Sequence, residues 1–294
     1  MRHLLSTHKR LIRLIGILII LSIVAVYIGL PTVMALTVIA PEAHADGAPP
    51  DGFAMITLMT DDNVRLAAWY AEPQNGAAII LVHGAGSGRE SMRDYATMLQ
   101  ENGFGVLALN LRGYGDSEGR INRLGWNGTQ DISAAIAYLS GRNGVEIIGG
   151  LGVSLGGEVL LGATSHYPII RAVVADGATY RSVNEYTTLP ANRPLYRNFT
   201  QHVFSFMVTV LSGDIQPEPP LLESIQVADN TSFLFIAAGN EDSEVAYNHL
   251  FHETMPDSSL WIIPDVGHTG GFNHIPDEYE DRVIGFFNQV LLTP

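Results

Sequence analysis

A hydroxyl set between two glycines, in Gly152-Val153-Ser154-Leu155-Gly156, is where this chain first offers chemistry. Glycine is costly inside regular structure, and more of it crowds the same stretch, IIGGLGVSLGGEVLLGA at residues 147–163. The backbone there must adopt a shape that other residues avoid. The pattern G-x-S-x-G, with a strand-like run before it and a helix-like run after it, predicts a sharp corner. Such a corner holds the serine at positive φ with its hydroxyl above a sheet, and bulk two residues to either side would collide with it. Gly157 lets the following helix lie close to the strand. The N–H of Leu155, at the helix start, then points where an oxyanion would form.

A serine hydroxyl is a poor nucleophile until a base takes its proton. His268 follows Gly267 directly after the strand-like LWIIPDV, in the last strand-to-helix loop, where the base of a Ser–acid–His order belongs. His274, six residues on, is the spare candidate. The other histidines read otherwise. His3 and His8 precede an apolar segment, His44 lies in a linker, and His166 and His202 fall in or beside helical runs. His249 and His252, one helical turn apart with Glu253 adjacent, read as a solvated helix face rather than a metal pair.

The acid should come from a loop at the same end of the sheet. In AAGNEDSE, the G-x-x-D spacing from Gly239 picks Asp242, with Glu241 as a neighbour able to substitute, and Asp176 after the preceding strand is an alternative position. Its work is to hold the imidazole tautomer and stabilise the imidazolium. A second oxyanion donor should follow the strand-like AAIILV. There His83-Gly84-Ala85-Gly86 opens a loop, and the Ala85 N–H is the natural donor beside that of Leu155. The same glycines also read as a tight strand–helix turn, and both readings can hold together.

These residues need a scaffold. FAMITLMT and VRLAAWYAE, separated by Asp61-Asp62-Asn63, predict a hairpin. From residue 77 onward strands alternate with helices. AAIILVHG, FGVLALNL, VEIIGGLGV, IIRAVVADG, SFLFIAAG and LWIIPDVG are the strands, several of them apolar throughout, as in parallel sheets buried on both faces. Helical spacing recurs in RESMRDYATMLQENG, TQDISAAIAYLSG, GEVLLGATSHY, SEVAYNHLFHETM and EYEDRVIGFFNQVLL. The expected fold class is α/β, a mostly parallel central sheet with helices on both faces and an N-terminal hairpin. Residues 179–230 break the rhythm. They hold Pro190, Pro194, Pro217, Pro219 and Pro220 and one apolar helix candidate, QHVFSFMVTVL, and predict an inserted helical cap.

Composition narrows the function classes. The 294 residues are 47% hydrophobic and contain no cysteine, which excludes disulfides, thiol nucleophiles and zinc–thiolate sites. The net charge of −14 hides an asymmetry: Arg2, Lys9, Arg10 and Arg13 precede the first acid, Glu42, and the remainder holds 12 basic and 30 acidic residues, a net of −18. An acidic body without an Arg-rich stripe argues against nucleic acid as a partner.

Between Leu14 and Pro41 no residue is charged. That is long enough to span a bilayer, and the basic residues before it orient the N-terminus toward the cytoplasm. The expected organisation is a cytoplasmic basic segment at 1–13, a transmembrane anchor at 14–40, a flexible linker at 41–52 and a body at 53–294 with its cap at about 179–230. The rival is a cleaved signal peptide, for which Ala43-His44-Ala45 fits the cleavage site although the apolar region is overlong.

LVHGAGSG, NLRGYGDSEG, GVSLGG, AAGNEDSE and VGHTGG, in this order, resemble the motif series of the α/β-hydrolase fold across residues 53–294, most of all its serine aminopeptidase-like, esterase and dienelactone hydrolase-like members. The resemblance implies a Ser154–Asp242–His268 triad beneath a cap at 179–230. Residues 112–119, RGYGDSEG, match a family loop that braces the active-site end of the sheet. Serine at the elbow sets the chain apart from relatives that use aspartate or cysteine there. The cap, which sets substrate choice in such enzymes, resembles nothing assignable.

The implied activity is a serine hydrolase acting on an ester, thioester or amide of a small-molecule or lipid-like acyl substrate. An ester is favoured because an alcohol leaves more readily than an amine. No metal or organic cofactor is implied. The alternatives are a catalytically silent hydrolase-fold binding module and an acyltransferase using the same residues. The apolar VFSFMVTVL of the cap is a candidate for cap core, for an acyl pocket or for a contact with the bilayer.

Overall fold

An apolar rod precedes the body. Helix α1 (Arg2–Val24), a π-helical turn at Ala25–Gly29 and helix α2 (Leu30–Ile39) run on as one helix. The 30 residues Arg10–Ile39 are long and apolar enough to cross a membrane, as an anchor or as a signal sequence. The computed structural model describes residues 2–41, 46–188 and 194–293, with residues 2–9 and Thr188 by backbone alone. The candidate cleavage triplet Ala43-His44-Ala45 and Pro190 lie outside the described residues.

The stretch expected to be a flexible linker is pinned where it is described. The Asp46 carboxylate, 1% exposed, pairs with the buried Arg89 guanidinium at 3.3 Å and accepts a hydrogen bond from Asn110 Nδ2 at 2.5 Å. Gly47 N–H donates to Glu90 Oε2 at 3.1 Å, and Arg93 donates to the Ala48 carbonyl at 2.6 Å. A buried guanidinium requires a counter-charge, and this segment supplies one.

The body is an eight-stranded sheet. Strands β1 (Ala54–Met59) and β2 (Arg65–Ala71) form the expected antiparallel hairpin, with Ala54 opposite Tyr70 and Met59 opposite Arg65. Then follow β3 (Ala77–Val82), β4 (Gly105–Leu109), β5 (Ile147–Val153), β6 (Ile170–Asp176), β7 (Ser232–Ala238) and β8 (Ser259–Ile263). The spatial order is β1-β2-β4-β3-β5-β6-β7-β8. β2 meets β4 antiparallel and every later pairing is parallel. All six residues of β3 are buried, which explains its unbroken apolar run.

Helices cover both faces. On one, α3 (Arg93–Glu101) and α11 (Pro276–Phe287) bury Met98, Leu99, Val283 and Phe287 against Ile79, Leu81 and Val174. On the other, α4 (Gly128–Ser140), α5 (Leu155–Thr164) and α9 (Asp242–Thr254) bury Ile132, Val159 and Phe251 against Ile80, Leu107 and Phe235. The insertion holds α6 (Val183–Thr188), α7 (Leu195–Ser212) and α8 (Leu221–Gln226). α8 joins the core on α5, while Phe204 and Val208 of α7 cluster with Ala35 of α2 and with Trp126. A short α10 (Gly271–His274) precedes α11.

Candidate active site

At the C-terminal end of β5 the chain turns sharply into α5, and Ser154 occupies the corner with φ 53° and ψ −118°. The corner is held by Ser154 N–H donating to the Asp176 carbonyl at 2.6 Å and by Glu158 N–H donating to the Ser154 carbonyl at 3.1 Å. Two glycines make the approach possible. A Cβ on Gly152 would strike the backbone of Gly156, and one on Gly156 would strike the backbone of Val82. Strain of this kind persists only where the surroundings over-determine it.

His268 reaches Ser154 from the loop after β8. Its Nε2 lies 2.8 Å from Ser154 Oγ, so the hydroxyl donates to it, and its Nδ1–H donates to Glu244 Oε2 at 2.6 Å. Here the sequence expectation is corrected. Asp242 begins α9 and is exposed, whereas Glu244, in the same first turn, is buried and turned toward the sheet. β7 gives way to the helix so soon that Glu241 already holds the position before its first residue. Two residues further round the helix, and with one more methylene, Glu244 spans the gap to the imidazole. Its other oxygen, Oε1, accepts from Ala238 N–H at 2.7 Å, which locks the carboxylate.

The alternatives stand elsewhere. Asp176, at the end of β6, accepts from Tyr279 Oη at 2.8 Å, and burial pushes its carboxyl up to about 7. Glu241 makes no hydrogen bond to His268 among the described residues, whose Nδ1 is taken by Glu244. His274 ends α10 and lines a separate cavity with Trp261 and Arg282. The bond to Glu244 raises the His268 imidazole above its ordinary value, against the opposing effect of partial burial.

The serine opens onto a cavity of about 390 Å³ lined by Ala85, Met92, Tyr95, Ser154, His268 and Asn273 among others. Neither the Ala85 nor the Leu155 N–H meets a backbone acceptor among the described residues. That leaves both amides for an incoming oxygen, as expected of the first turn of a helix in the case of Leu155. The Ala85 loop is held from two sides. Tyr114 Oη donates to the Ala85 carbonyl at 3.0 Å. His83, fully buried, donates from Nδ1 to the Gly84 carbonyl at 2.8 Å and accepts at Nε2 from Leu111 N–H at 3.2 Å. Burial lowers its pKa to about 4, so it stays neutral and keeps the tautomer this bridge requires.

The loop of residues 112–119 braces this end of the sheet. Arg112 binds both Asp62 and the buried Asp131 at 2.7 Å, and Asp116 pairs with Arg89 at 3.2 Å. No described residue of the inserted segment lines the cavity at Ser154. The described part of the insertion instead packs on α2, α5 and α9.

A family model described as the alpha/beta hydrolase fold matches residues 77–249. The chain belongs to the α/β-hydrolase fold family. An esterase of Pyrococcus furiosus superposes on this family member with a TM-score of 0.67 at 21% identity, over 86% of this chain and 98% of the esterase. At that identity the likeness is one of fold. An uncharacterized protein of Salmonella typhi, YfhR, is 29% identical over 54% of this chain and 56% of its own length. The chain therefore spans about half the length of the curated relatives it matches first. An uncharacterized membrane protein of Saccharomyces cerevisiae is 26% identical over 74% of each chain.

Within this α/β hydrolase, sequence reasoning missed Glu244 and the two residues that steady the Ala85 loop, Tyr114 and His83. The only signal for Glu244 was its place in the same AAGNEDSE stretch. The spacing rule stopped two residues short of it.

Proposed function

We propose that this protein is a membrane-anchored serine hydrolase that cleaves an ester, thioester or amide through an acyl-enzyme, with esters favoured. The observation that supports it most is the unbroken chain from Ser154 Oγ to His268 Nε2 at 2.8 Å and from His268 Nδ1 to Glu244 at 2.6 Å. Ser154 Oγ attacks the carbonyl carbon while His268 takes its proton, and Glu244 stabilises the imidazolium. The carbonyl oxygen becomes an oxyanion received by the Ala85 and Leu155 N–H groups. Collapse expels the alcohol, thiol or amine with the proton from His268. Water, deprotonated by the same imidazole, then releases the acid and restores the serine.

The anchor reading draws on the apolar helix Arg10–Ile39 and on the basic residues Arg2, Lys9, Arg10 and Arg13 ahead of its uncharged run; the positive-inside bias supports a cytoplasmic N-terminus with the hydrolase domain on the other side. The likeness to a yeast protein named as a membrane protein agrees with it.

A fluorophosphonate probe tests the chemistry. It should label the wild-type chain and fail to label Ser154→Ala. Absence of labelling on folded wild-type protein would leave a silent binding module as the better reading.

A further inference from the structure

The inserted helix α7 carries a second apolar face that its own packing leaves largely exposed. Phe204, Val208 and Ser212 face inward. Opposite them, at helical spacing, lie Leu195, Phe199, Phe206 and Val210, between 53% and 86% exposed, with Tyr196 beside them. Large exposed apolar side chains in a row mark a contact surface rather than a solvated one.

The neighbour of this helix says which contact. α7 runs alongside the second half of the N-terminal helix, and in the same direction. Phe199 meets Tyr27, with ring centroids 5.9 Å apart. Phe204 and Val208 cluster with Ala35, and Leu211 shares a cavity of about 420 Å³ with Ile39 and Pro41. A hydrocarbon core about 30 Å thick takes up about 20 residues of helix. Counted from Leu14, just after the last basic residue, it ends near Val33. Tyr27 then lies about 9 Å inside that boundary at 1.5 Å per residue, and Phe199 lies beside it. Leu195, a turn earlier, is deeper still, while Val210 is clear of the boundary.

We propose that α7 is a second membrane-embedded element: its N-terminal turns enter the outer leaflet beside the anchor, the exposed Leu195 and Phe199 rest in hydrocarbon, and Phe206 lies at the boundary. The proposal rests on the anchor reading above and adds to it a fixed seat for the body on the bilayer. An amphipathic helix with aromatic residues at the interface gains stability there by burying apolar area.

Because the chain has no cysteine, single cysteines report position cleanly. Full-length Leu195→Cys, Phe199→Cys, Phe206→Cys and Val210→Cys are labelled with bimane in phosphatidylcholine vesicles containing doxyl-labelled lipid. Ile20→Cys serves as the anchor reference and Asp257→Cys as the water reference, and fluorophosphonate labelling checks each variant for an intact fold. Quenching should be several-fold stronger at 195 and 199 than at 257, and should fall steadily from 195 to 210. If 195 and 199 behave like 257 while 20 is quenched, the seat is overturned and the anchor stands. If 20 is itself unquenched, the anchor reading and the seat fall together. Protection of the stripe that appears only at high protein-to-lipid ratio would assign it to a second copy of the chain and overturn the proposal.

Discussion

At the scale of single residues, the point that matters most is which carboxylate faces His268. Glu244→Gln leaves a neutral group against Nδ1, which no longer favours the needed tautomer or the imidazolium. It should lower kcat by roughly 10²–10⁴-fold, the order seen when a triad acid becomes an amide. Asp242→Asn, on the exposed start of α9, should leave steady-state kinetics near wild type. The reverse ranking would return the role to Asp242. The pH profile supplies a second readout. In the proposed mechanism the working base is neutral imidazole, and Glu244 raises its pKa, so the rise of kcat/KM with pH should fall above the ordinary value of 6.5. In Glu244→Gln the cause of the shift is gone, and the remaining activity should rise at lower pH than in wild type.

At the scale of elements, the loop after β3 shows how a donor is held without being bonded itself. Tyr114 and His83 grip the carbonyls of Ala85 and Gly84, on either side of the Ala85 N–H. Tyr114→Phe removes one grip and keeps the ring against His83, whose centroid is 4.6 Å away. Turnover of a p-nitrophenyl ester should fall by about tenfold in kcat with little change in KM, since the amide acts on an oxyanion present only in the transition state. An unchanged kcat would show that the Tyr114 hold is not needed to position the Ala85 N–H.

The strands and most helices were legible because burial imposes a period: β3 is apolar throughout, and α3 and α4 repeat at helical spacing. Ser154 and His268 were legible too, since a corner needs glycines in sequence and a base needs the last loop. Glu244 was not, because its role depends on where β7 stops and α9 begins, a matter of one residue. The hold on Asp46 was hidden for a different reason. Arg89 and Asn110, its partners, come from separate loops that only the closed sheet brings together.

At the scale of the whole molecule, charge is distributed as unevenly as apolarity. The body carries a net −18 after the basic N-terminus, a charge that gives the molecule a negative field at long range. Such a field slows the approach of like charges and is screened over about 10 Å at 0.1 M salt. An anionic ester should therefore show a lower kcat/KM than its neutral isostere at low ionic strength, and added salt should narrow the gap. A salt-independent ratio would mean that the field does not reach the cavity.

The burial of Asp46 bears on how the body is joined to the helix before it. A peptidase cutting after Ala45 needs the chain drawn out on both sides of the bond, and Asp46 is the first residue beyond it. The Asp46 carboxylate is seated on Arg89 and Asn110, so cleavage there would require this hold to be released or not yet formed. On the anchor reading, the same hold ties the body to its membrane helix within a few residues, so the body cannot swing freely on a long tether.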